Sequence, residues 1–153
     1  MKNRSITLIT IRKVALGIFP LIIGGLIYIT YRVDTLIMFR WFEKIGLLNL
    51  IDTIRSNQQL QSLIIPSWVK YSLPDALWLF SLNYTLFTLW NFKINKQSAF
   101  WMISASTIGV FWEIGQLFGI VNGTFDIIDL FFLVIASLIL FFPITNFKNL
   151  KIT

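Results

Sequence analysis

The 153-residue chain contains no cysteine and no histidine. These absences exclude disulfides, haem ligation, thiolate or imidazole zinc sites, and every nucleophile activated by a histidine base. Hydrolysis is left only to a metal-activated water. Charge is also scarce, at 13% of residues, where a soluble domain carries about a quarter. Acidic residues are the rarer of the charged ones, 7 against 13 basic, for a formal charge of +6. The basic residues are scattered between apolar blocks and form no stripe, so lipid is the expected partner and nucleic acid is not. With 56% hydrophobic residues there is no room for a separate soluble module. Residues 1–153 are expected to form a single membrane domain.

A helix crossing about 30 Å of hydrocarbon needs around 20 apolar residues, because unpaired backbone groups are not tolerated in lipid. Four segments meet or approach that length: Val14 to Tyr31, Ala76 to Phe92, Ala99 to Phe118 and Asp126 to Phe142. The first follows Arg12-Lys13 and resembles a secretory signal, but Arg32 to Asp34 offer no small-residue cleavage site, so it is expected to be retained. Its Gly24-Gly25 pair permits close helix contact. The expected fold is therefore all-α, a polytopic membrane bundle of four transmembrane helices with one interfacial helix. Four spans put both termini on one side, together with Lys93 and Lys96. That side is richer in closely spaced positive charge than the one bearing Arg32, Arg40, Lys44, Arg55 and Lys70, which places both termini in the cytoplasm.

Residues 32–74 form the long extracytoplasmic connection. Thr35 to Leu48 is apolar enough for the membrane interface, yet carries Arg40, Glu43 and Lys44, each of which would need a partner at depth. An interfacial helix is expected over residues 35–50, with a re-entrant path as the alternative. Asp52 to Gln61 reads as an exposed loop or short helix, and Ser67 to Tyr71 has the aromatic and basic mixture of a headgroup boundary.

Polar residues stand out against this background. Glu113 lies in the outer part of the third span with Gln116 three residues on, along the same face. Asp126 and Asp129 repeat that spacing at the start of the fourth span, and Asp75 opens the second. Asp75 and Asp126 suit helix N-termini, where the orphan amides and the helix dipole favour a carboxylate. Glu113 is a functional-site candidate, since a carboxylate at depth needs pairing, hydrogen bonds or neutralisation. The short turn Gly119 to Phe125 makes the third and fourth helices antiparallel neighbours. Glu113, Gln116, Asp126 and Asp129 are thus expected to form one outer-leaflet nest with Asp75 at its rim. Asn83, near mid-membrane, is expected to act as interhelical glue.

The strings Glu113-Ile114-Gly115-Gln116 and Asp126-Ile127-Ile128-Asp129 resemble the VanZ-like membrane protein family, in which a Glu-x-x-Gln pair ends one span and an Asp-x-x-Asp pair opens the next. Asp75 matches the family's earlier acidic position, while Trp78 stands where a histidine would be expected. The resemblance covers residues 74–142. It implies a four-to-five-span protein of the bacterial cytoplasmic membrane, linked to glycopeptide (teicoplanin) resistance at the cell envelope.

Two functions follow as expectations. In the first, Glu113, Asp126 and Asp129 hold Mg²⁺ or Ca²⁺ that bridges to an envelope-lipid phosphate, with Arg32, Arg40 and Lys70 as headgroup contacts. In the second, the chain is a non-enzymatic scaffold or accessory subunit packed against another membrane protein. An ion conductor fits less well, because the cytoplasmic halves of the spans offer Ser104, Ser106 and Thr107 but no ionisable group.

Overall fold

The computed structural model describes residues 2–139, with side chains from residue 13 onward. The described residues form helices and connecting turns with no strand. In chain order they are α1 (Lys2–Tyr31), α2 (Ile37–Lys44), α3 (Leu48–Arg55), α4 (Gln58–Gln61), α5 (Ser67–Tyr71), α6 (Leu73–Leu89), α7 (Lys96–Leu117) and α8 (Ile127–Leu138). The all-α class is as expected. Within α1, Lys13–Tyr31 is the one stretch among the described residues long and apolar enough to cross a membrane by length and composition. The expected end of the fourth span, beyond residue 139, lies outside the described residues, as do Lys148 and Lys151.

Helix α6 is the hub, packing against α1, α7 and α8. Small residues set the α1–α6 approach. Gly17 and Gly24 stand seven residues apart and are buried on one face of α1. A Cβ on Gly24 would lie 2.8 Å from the Trp78 indole nitrogen and 3.1 Å from the Pro74 carbonyl oxygen. Two polar side chains of α6 complete this seam: Ser81 donates to the Gly17 carbonyl and Trp78 Nε1 to the Leu21 carbonyl at 3.3 Å. Gly25 meets nothing within 4 Å, so only one member of the expected glycine pair serves helix contact.

The bundle interior has two apolar clusters. Ala76 and Leu79 of α6 interlock with Leu133 and Ala136 of α8, while Phe87 and Met102 close the opposite end with Tyr84 and Phe92. Between them Asn83, fully buried, donates to Ser106 Oγ across α6 and α7 at 2.9 Å, which is the interhelical bond expected of it. Helix α7 begins at Lys96 because Asn95 and Ser98 form a reciprocal capping box that satisfies two end amides.

The connection between α1 and α6 is a chain of short helices. The expected interfacial segment is divided: α2 ends at a turn through Gly46, whose φ of +74° suits glycine, and α3 follows. Its buried contacts are Phe39 and Ile51. The polar stretch after it acts as a cap for α1. The last carbonyls of a helix have no partner inside it. Here Arg55 Nη1 donates to the carbonyls of Ile29 and Arg32, both at 2.8 Å, and Gln61 Nε2 donates to the Thr30 carbonyl at 3.2 Å. The Arg55 guanidinium also lies 5.2 Å from the Phe39 ring centroid, and its charge complements the negative end of the helix dipole. Arg55→Ala is expected to lower stability by about 1–2 kcal/mol, the value of charge-assisted bonds discounted for partial exposure. Thermal unfolding in detergent reads this directly. A melting curve unchanged by the substitution would show that the cap contributes nothing.

Candidate functional site

Four elements deliver polar side chains to one end of the bundle. The last turns of α7 carry Glu113 and Gln116, the first turn of α8 carries Asp129, the first turn of α6 carries Asp75, and Arg32 follows α1 directly. All five line a single cavity of about 690 Å³. Aromatic walls come from Tyr28, Trp78 and Trp112. One to two helical turns away from the polar end, the lining becomes apolar through Leu79, Leu82, Ile108 and Leu133. The cavity is therefore amphipathic along the bundle axis, with ionic groups at the end near the α7–α8 turn and hydrocarbon below.

Each polar group is held differently. Glu113 is 5% exposed, and its Oε1 accepts the Asp126 backbone N–H at 2.8 Å. Asp126 caps α8: its side chain accepts the Ile128 N–H at 2.8 Å. Asp129 has a buried Oδ1 with no hydrogen-bond partner. Gln116 lies over Gly123, where a Cβ would come within 2.7 Å of the Gln116 amide and the backbone has φ +144°. The backbone conformation favours glycine there, while the Gln116 amide, the end of a flexible side chain, could shift. Asp75 Oδ2 faces Arg32 Nη2 at 3.6 Å, the only ion pair among the described residues. Asp129 and Glu113 are also close enough to act electrostatically on Asp75. The Arg32 guanidinium is flanked by the rings of Tyr28 at 5.4 Å and Tyr71 at 5.3 Å, and its Nε is buried without an acceptor.

The expected nest and the expected helix caps thus need one correction each. Glu113, Gln116 and Asp129 do converge, but Asp126 contributes a backbone amide while its carboxylate turns to the helix end. The reason is the orphan amides of α8's first turn, which an N-cap oxygen satisfies. Asp75 is not a cap; Ser72 stands at the N-cap of α6, and Asp75 pairs with Arg32 just beyond α1 instead. Among the described residues no group of three or more acidic side chains is arranged to hold a metal ion, so Glu113, Asp126 and Asp129 do not form a joint ligand set for Mg²⁺ or Ca²⁺. Of the three basic residues expected at a headgroup, only Arg32 lines the cavity; Arg40 is exposed on α2, and Lys70 lies 5.3 Å over the Tyr31 ring.

Tyr28, Trp78 and Trp112 were not expected as site residues. For Trp78 the available signal is its spacing from Asp75, three residues on and so on the same helix face. Tyr28 and Trp112 read as ordinary membrane-facing aromatics, and nothing local distinguishes them. Neither a family model, a curated protein nor a solved structure matches the chain.

The convergence is open to a chemical check in a chain without cysteine. Glu113→Cys with Asp129→Cys is expected to crosslink with a short bifunctional reagent. Gly115→Cys with Val121→Cys is the positive control, since a Cβ at position 115 would lie 3.6 Å from Val121 Cβ. Reaction of the control alone would show that α7 and α8 do not share the cavity at Glu113 and Asp129.

Proposed function

We propose that this is a VanZ-like, four-span protein of the bacterial cytoplasmic membrane that binds the phosphate headgroup of an envelope lipid in the cavity between α1, α6, α7 and α8. The observation that carries the proposal is the amphipathic lining: ionic groups at one end run without a break into Leu79, Leu82 and Ile108. A phospholipid has the same polarity along its length. The membrane setting is supported by the outer surfaces of the helices, where Phe19, Ile22 and Leu26 of α1 and Phe100, Ile103 and Phe111 of α7 are all exposed. A soluble monomer rarely leaves so much contiguous apolar surface in water. Helices α6 and α7, with 17 and 22 residues, and the apolar α8 serve as the further spans.

Arg32 is the phosphate contact in this proposal. Its guanidinium is a fixed fork of donors suited to phosphate, and at 3.6 Å the Asp75 contact leaves it able to bond elsewhere. Arg32→Gln is expected to reduce phospholipid retained through purification by about tenfold, equivalent to about 1.4 kcal/mol, as read by native mass spectrometry. Asp75→Asn, which frees the guanidinium, is expected to retain lipid at least as well as the parent protein. Equal retention by the parent protein and Arg32→Gln would refute the lipid site.

The four-span topology has its own test. Cysteines placed singly at Asn57 and Ile94, both exposed, are expected to respond oppositely to a membrane-impermeant maleimide in intact cells. Position 57 should react and position 94 should not.

A further inference from the structure

We infer that the cavity selects a headgroup bearing an ammonium as well as a phosphate, held at its cationic end by Glu113 and Asp129. This deepens the lipid-binding proposal and rests on it. Three carboxylates and one guanidinium line the cavity, and the guanidinium faces Asp75. Two negative side chains are left without a cationic partner among the described residues. One of them, Glu113, is 95% buried by its 5% exposure, and its Oε1 is engaged by a neutral backbone amide alone. The other, Asp129, has an oxygen with no donor at all. Carboxylates in such a setting are stabilised by a proton or by a cation brought in from outside, and the open cavity beside them has room for the cation.

The described residues provide no three-carboxylate set for a divalent metal, whereas an ammonium needs only oxygen acceptors and apolar or aromatic surroundings. The rings of Trp78 and Trp112, which line the same cavity, supply the latter, and a cation over an indole face gains further from the ring quadrupole. The cavity thus carries both kinds of charged group, Arg32 just after α1 and Glu113 and Asp129 on α7 and α8. A zwitterionic phosphate-ammonium headgroup complements both poles, and a purely anionic headgroup leaves the two carboxylates facing a like charge.

The test compares three lipids with identical acyl chains, offered in detergent to the purified full-length protein: phosphatidylethanolamine, its N-acetylated form, and phosphatidylglycerol. Phosphatidylethanolamine is expected to be retained about tenfold more tightly than the other two, a difference of about 1.4 kcal/mol. Glu113→Gln and Asp129→Asn are each expected to abolish that preference. Soluble phosphoethanolamine supplies the same ammonium and phosphate without chains. If it displaces the lipid at comparable concentration, the ammonium site stands and its ligand is a soluble molecule; if it does not, the ligand is the lipid. Equal retention of all three lipids by the parent protein would overturn the ammonium inference and leave the phosphate site in place. Retention of none would overturn both. The parent-protein comparison holds even where a variant fails to fold.

Discussion

Replacing Gly24 with leucine is expected to destabilise the protein by about 2–3 kcal/mol, the upper part of the usual range for overpacking a tight contact. Even a methyl group at this position would meet the Trp78 indole at 2.8 and 2.9 Å and the Pro74 backbone oxygen at 3.1 Å. The oxygen belongs to the first turn of α6 and cannot swing aside as a side-chain end would, so the larger residue must drive the two helices apart. Separation also breaks the Trp78 bond to the Leu21 carbonyl. Because Trp78 lines the cavity, lipid retention should fall together with the melting temperature. The neighbouring position is the control. Gly25 has open space around it, and Gly25→Ala is expected to raise stability by about 0.5–1 kcal/mol through reduced backbone freedom. Thermal unfolding of the two variants in one detergent decides the matter: a gain at both positions would show that the glycines act through helix propensity and not through contact with α6.

Removing the side chain of Glu113 is expected to cost a comparable amount. In Glu113→Ala the Asp126 N–H loses its 2.8 Å acceptor, and a bond to an ionised group contributes about 1.5–3 kcal/mol. The substitution also leaves a void beneath the α7–α8 turn, so about 2–3 kcal/mol is the expected total. Glu113→Gln retains an acceptor oxygen in nearly the same place, and its stability loss is expected to be about 1 kcal/mol or less, the value of a neutral bond set against a charged one. The pair separates two roles of the same residue. Alanine should impair folding, whereas glutamine should keep the fold and lose only the preference for an ammonium headgroup. Equal destabilisation by both would mean that the bond to Asp126 is not what the carboxylate contributes.

Local patterns account for much of the architecture. An apolar run marked α1, although the helix starts at Lys2, well before Val14, because charged residues propagate a helix as readily as apolar ones while hydropathy registers only the latter. An aspartate ahead of an apolar run marked the start of α8, since an N-cap acts over two or three residues and is legible in any window that contains it. The spacing of Glu113 and Gln116 placed both on one helix face, and both line the cavity. In contrast, the start of α7 at Lys96 is set by the Asn95–Ser98 capping box, ahead of the hydrophobic pattern, which begins only at Ala99.

What the sequence by itself determined was therefore the helical class, the scarcity of charge that makes lipid the expected surroundings, and the faces on which Glu113, Gln116 and Asp129 lie. These follow from composition and from the 3.6-residue period, which relate only near neighbours. Tertiary structure alone decided which charges meet. Arg32 and Asp75 are joined across the whole α2–α5 connection, Arg55 reaches carbonyls 23 and 26 residues earlier in the chain, and Gly24 is distinguished from Gly25 only by Trp78 lying against it. Such pairings depend on the paths of intervening turns and on the packing of α6 against three other helices. No local period encodes them.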